Sequence, residues 1–208
     1  MAPDTRCLAC LALIALFGCS GENDRTTPEP SRSPTVEIAG VRLVGAEQEV
    51  RDQCRSLAER VGYPLPCPRL LPEYATPYWG RPTGNDRFFQ SGTERLRRWV
   101  WLSVNFVHRP ESDDHLVISA APTRVDARHL IFTPKPYPEA KLELAGSLHF
   151  RGRIARWFYV RRGESIYLGH TVLIWSEQGR TYGVGLHGKD VPVRRLGLAI
   201  ARSISLSP

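Results

Sequence analysis

The chain has 208 residues, 42% of them hydrophobic and 9% aromatic, which excludes a disordered protein and supplies enough apolar surface for a core. Its formal net charge of +7 rests almost wholly on arginine, because Lys135, Lys141 and Lys189 are the only lysines. An arginine-heavy, lysine-poor balance often accompanies GC-rich codon usage, so it is weak evidence for nucleic-acid binding. Outside the cytoplasm such a surface is expected to face anionic lipid or envelope polymers, with an ordinary solvated surface as the plainer reading.

The chain opens with a short polar stretch, Met1 to Arg6, and then an uncharged apolar run from Cys7 to Gly18. That run is too short to cross a bilayer, which takes about 20 apolar residues, and has the length of a signal-peptide core. It stops at Cys19, where the chain turns polar at once. Leu16-Phe17-Gly18-Cys19 resembles the lipobox of bacterial lipoproteins. The resemblance implies that residues 1–18 are a signal peptide, that Cys19 is the lipidated N-terminus carrying palmitate-type acyl chains, and that the protein is anchored on the extracytoplasmic side of the cell membrane or outer membrane. Each buried CH₂ contributes about 0.8 kcal/mol, so two or three acyl chains hold where one does not. The competing reading is an ordinary secretory signal cut nearby. Residues 19–34 then form a tether: Ser20 to Pro34 has three prolines and no large apolar residue, so ordering it has nothing to offset the entropy. A flexible chain of that length reaches about 20–25 Å.

About 175 residues, 35–208, remain for one domain. Within them, Val36 to Val44 reads as a strand or hairpin around Gly40. Val50, Cys54, Leu57, Ala58 and Val61 follow the i, i+4, i+7, i+8 spacing of a helix with one buried face, which Gly62 ends. The prolines of YPLPCPRLLP force the next segment extended. With Cys7 and Cys10 leaving in the signal and Cys19 lipidated, Cys54 and Cys67 are the remaining pair, expected as a disulfide in an oxidising compartment. Two unpaired buried thiols are the alternative.

From Asp86 onward the signals are those of strands. Arg97–His108 is β-branched and aromatic, and His115–Pro122 follows a polar turn. Leu142, Leu144, Leu148 and Phe150 alternate onto one face of a strand that Arg151-Gly152 turns into Arg153–Arg162. HTVLIWSE and RTYGVGLHG make a second hairpin around Gln178-Gly179. After Asp190, an N-cap candidate, Val193, Leu196, Gly197, Ile200 and Ile204 line one face of a final helix. The order helix, strands, helix predicts an α+β single domain: a curved, mostly antiparallel sheet with an N-terminal and a C-terminal helix packed on it. LIWSEQGRTYGVGLHG with LAIARSI, and the entry CRSLAERVGYPLPCPRLLP, resemble domains of unknown function in bacterial envelope lipoproteins. That resemblance implies envelope residence and a similar fold and carries over no functional residue.

Three features bear on chemistry. His108 and His115 bracket Asp113 and Asp114, but Pro110 and the acids read as a turn, and no helical i, i+4 ligand spacing occurs, so no metal site is expected. Gly183 and Gly185 share a strand face with Thr181 and His187. Glycines on one face mean close approach, whether by Trp175, Trp157, the helix through Gly197, or a ligand that His187 would contact. Between Pro72 and Trp99, aromatic residues including Tyr78 and Trp79 mix with arginines including Arg81 and Arg97 in a long Pro/Gly-punctuated stretch. Such a loop suits stacking and anion contacts, with core filling as the competing role. There is no G-x-S-x-G, phosphate-binding glycine loop or H-E-x-x-H, so no catalytic residue and no cofactor is assigned. The expected function is a membrane-tethered, non-catalytic binding module for an envelope polymer or protein partner. The second reading is a carrier holding an apolar ligand or lipid between sheet and helices. Nucleic acid is not an expected partner.

Overall fold

The computed structural model describes residues 35–73, 76–79, 100–105, 115–131, 141–162 and 167–207. Cys19, Arg81 and Arg97 lie outside the described residues. The fold is mixed helix and sheet, and every strand pairing among the described residues is antiparallel. Strands β1 (Val36–Ile38) and β2 (Val41–Gly45) form the expected hairpin, with Ala39 and Gly40 both at positive φ in the turn. Helix α1 (Gln48–Val61) buries Val50, Cys54 and Ala58. Gly62 ends it at φ 75°, a left-handed conformation that glycine adopts without steric cost, and its N–H caps the Ala58 carbonyl. The proline-rich segment yields β3 (Leu65–Cys67) and β4 (Leu70–Pro72).

The main sheet runs in the order β5 (Thr76–Trp79), β6 (Val100–Asn105), β7 (His115–Ala121), β11 (Arg180–His187), β10 (His170–Glu177), β9 (Arg153–Arg162), β8 (Lys141–Phe150). Between β7 and β8 lies a short helix, α2 (Ala127–Ile131); after β11 come α3 (Val191–Ser203) and β12 (Ser205–Ser207), which pairs with β3. Placing Tyr78 and Trp79 on β5 corrects the reading of this stretch as loop. Pro77 lacks a donor, and among the described residues β5 lies at the edge of the sheet, one of the positions where that loss is tolerated.

Alternation along β10 and β11 sends side chains into two layers. One face carries Leu173, Trp175, Tyr182, Val184 and Leu186 into the principal core, shared with Val50, Cys54 and Ala58 of α1 and Leu196, Ile200 and Ala201 of α3. Gly197 lets α3 come close: a Cβ there would meet Leu186 Cδ1 at 3.0 Å and the Trp157 ring at 3.2 Å. Tyr63 and Tyr182 reach through this core to the carbonyls of Ala120 and Pro64, each at 3.3 Å, so neither buried hydroxyl is left unpaired. Asp190 precedes α3 in extended conformation, but its side chain makes no cap bond.

The other face holds a second cluster, Val117, Ala121, Leu130, Ile131, Val160, Tyr167, Val172 and Ile174. This layer answers the glycine question differently from the expectation. Gly183 faces Leu130 and Ser119, and Gly185 faces the Tyr167 ring; Trp157, Trp175 and Gly197 belong to the opposite face. The tyrosine hydroxyl donates to Ser119 Oγ. A second correction concerns β8. A bulge between Leu144 and Gly146 shifts the alternation by one residue, so Leu142 packs with the second cluster while Leu148 packs with the principal core. The predicted single stripe of leucines is therefore split between the two faces.

Cys54 and Cys67 are bonded, with Cα atoms 5.9 Å apart. The bridge ties α1 to β3, whose partner strand β12 follows α3. One staple therefore links the first helix to the C-terminal strand.

Candidate functional site

Of the sequence-predicted contact residues, Arg81 and Arg97 lie outside the described residues, and Tyr78 and Trp79 do not lie beside His187. Tyr78 and Trp79 pair with Ser103 and Leu102 on the edge strand, whereas His187 ends β11, three strands inward. At about 4.8 Å per strand that is about 14 Å between backbones.

A cleft of about 930 Å³ lies instead on the second face of the sheet. Leu142, Ile154, Phe158 and Ile174 form its apolar floor, and Arg124, Arg128, Arg153 and Arg156 stand around it. Each group has a local reason for its place. Ile154, Arg156 and Phe158 alternate onto one face of β9, and Arg156 sits beside Ile174 in the register with β10. The loop bearing Arg124 is fixed to β11 at Val125, whose N–H donates to Thr181 Oγ1 (2.9 Å) while that hydroxyl donates to the Val125 carbonyl (3.0 Å). Asp126 is the carboxylate in the lining, and it faces His129: Oδ1 accepts the His129 backbone N–H at 2.8 Å and Oδ2 lies 2.9 Å from the ring Nδ1. Burial works to raise the Asp126 carboxyl, but the His129 backbone and ring hold it below its ordinary value. Among the described residues, Arg124, Arg153 and Arg156 have no acidic partner. Ile154 is 60% exposed, and Leu144, opposite Phe158 on β8, is 61% exposed. The cleft thus offers guanidinium forks, suited to phosphate or carboxylate, over an apolar surface.

The same face carries a histidine cluster at the far end of the sheet. His170 opens β10, His187 closes β11 directly opposite it, and His115 opens β7 beside them. Their ring centroids are 4.4 Å (His115–His170), 5.3 Å (His170–His187) and 5.7 Å (His115–His187) apart. His170 is fully buried. Its Nδ1 donates to the Leu168 carbonyl at 3.0 Å, and its Nε2 has no partner. Burial, reinforced by the neighbouring His115, pushes its pKa down to about 3, so the ring is neutral.

Sequence reasoning named His187 as a candidate contact and weighed His115 only together with His108, and it named neither His170 nor the cleft arginines. The signals were present: Ile154, Arg156 and Phe158 share a period-2 face, and a hairpin turning at Gln178-Gly179 sets 170 against 187. No family model, no curated protein and no solved structure matches this chain.

Proposed function

We propose that this chain is a lipid-anchored envelope protein whose folded part is a non-catalytic binding module, with the arginine-rimmed cleft as its ligand face. On this reading Cys19 carries the lipid on the extracytoplasmic side of the cell membrane or outer membrane. Residues 19–34 are the tether, and residues 35–208 act as one domain whose antiparallel sheet curves about the ligand. The observation that carries the proposal is the juxtaposition of Arg124, Arg128, Arg153 and Arg156 with the apolar floor of Leu142, Ile154, Phe158 and Ile174. That combination suits an anionic group joined to an apolar or ring-bearing portion, a chemistry shared by acidic lipids and by phosphate- or carboxylate-bearing envelope polymers. The second reading, a carrier of a wholly apolar ligand, draws on the exposed Ile154 and Leu144 beside Phe158.

The test uses the purified full-length protein in neutral detergent, titrated with short-chain phosphatidylglycerol, its zwitterionic choline counterpart, and a phosphate-bearing glycan. Arg153→Glu with Arg156→Glu should abolish the preference for the anionic ligands. Each charge-assisted hydrogen bond contributes about 1.5–3 kcal/mol, so affinity should fall at least about tenfold. Whichever anionic ligand binds the wild type more tightly distinguishes lipid from polymer. Equal binding of both phospholipids, unaltered in the double variant, favours the apolar carrier. The anchor is checked separately: Cys19→Ala should leave the protein unprocessed or release it from membranes, and unchanged membrane partitioning would remove the lipid-anchor part of the proposal.

A further inference from the structure

We propose that His115, His170 and His187 form a binding site for a divalent transition-metal ion of the zinc class, with a further coordination position facing solvent. The proposal is independent of the arginine cleft and of any catalytic role.

Three observations carry it. First, antiparallel register brings the three rings to one end of three adjacent strands. Imidazoles bound through one nitrogen each to a tetrahedral ion, at metal–nitrogen bonds of about 2.0–2.1 Å, have ring centres about 5 Å apart; the observed separations of 4.4, 5.3 and 5.7 Å bracket that value. Second, His170 is buried with its Nε2 unpartnered. An orphaned buried acceptor is costly, and a bound cation would remove that penalty. Third, His170 Nδ1 donates to the Leu168 carbonyl. A backbone carbonyl on the other ring nitrogen is the arrangement that fixes the tautomer and orients a metal-ligating histidine.

Among the described residues no three ligand-type side chains stand in ready coordination geometry, so a ring has to turn. His187 is the most exposed of the three, and its Nε2 has to leave the Gly169 backbone to reach a shared ion. It is exposed at the end of β11, and its ring lies over Gly169, where a Cβ would come within 2.7 Å of Nε2. Neutral imidazoles select zinc, copper or nickel over the hard cations calcium and magnesium.

The experiment is titration of the untagged full-length protein in detergent with Co²⁺, read by visible absorption, and with Zn²⁺, read by calorimetry and by competition against Co²⁺. One ion per chain and the intense visible bands of tetrahedral cobalt are expected, with Zn²⁺ displacing them. His187→Ala and His115→Ala should each weaken binding by more than about tenfold, while His129→Ala and His149→Ala leave it unchanged. Because His187 is exposed, an unchanged far-UV spectrum separates ligand loss from unfolding in that variant. Absence of stoichiometric binding, or binding that His187→Ala does not weaken, would overturn the proposal.

Discussion

The ring of Tyr167 occupies the space a side chain would take at Gly185: a Cβ built there would lie 2.7 Å from both Cδ1 and Cε1. Tyr167 is fully buried and its hydroxyl bonds to Ser119, so the ring has nowhere to retreat. Gly185→Ala should therefore destabilise the protein by about 1–3 kcal/mol through overpacking, despite alanine being the better strand residue. Urea unfolding followed by tryptophan fluorescence measures this, and a wild-type midpoint would show that the ring can shift.

The Cys54–Cys67 bridge closes a loop with a sequence separation of 13. Chain entropy alone then contributes about 3 kcal/mol. Cys54→Ser should lower stability by about 2–4 kcal/mol, and thiol labelling of the denatured, unreduced wild-type protein should find neither cysteine. Stoichiometric labelling at these positions would contradict the bond.

Two buried phenols set an alkaline limit. Burial pushes Tyr182 up to about 12 and raises Tyr167 further in the same direction, the Ser119 contact opposing it only in part. Unfolded tyrosine titrates near pH 10. The unfolded chain therefore loses these protons first, and the stability of the neutral phenols is fully present below about pH 10 and declines as pH rises toward 12. Denaturant midpoints measured from pH 8 to 12 should fall above about pH 10, and Tyr182→Phe should make that decline shallower. An equal slope in the variant would assign the loss to other groups.

Much of the fold was legible along the chain. The α1 and α3 faces, the β9 turn at Arg151-Gly152 and the β10–β11 hairpin at Gln178-Gly179 all follow from local spacing, and the two turns carry the positive φ angles that such tight connections need. The β8 stripe was not legible, because a bulge at Ala145 is settled by what β9 offers opposite it, which period-2 counting along one strand cannot register. The candidate site was less legible still. Arg124 and Arg128 lie outside any strand of the cleft floor, and what brings their segment against β11 is tertiary: the Thr181 contacts to Val125 and the packing of Leu130 over Gly183.

By itself, then, the sequence determined the elements whose causes are local: amphipathic helices, tight turns, proline-extended segments and the cysteine pair. Those depend on neighbours a few residues away, and the chain carries them explicitly. Only the tertiary structure decided which face of the sheet each long helix covers, that α2 and Tyr167 cover part of the other, and that histidines 115, 170 and 187 meet. The physical reason is that antiparallel register joins residues far apart in the chain. Each histidine is an ordinary strand-end residue in its own segment and acquires its chemistry from the two rings beside it.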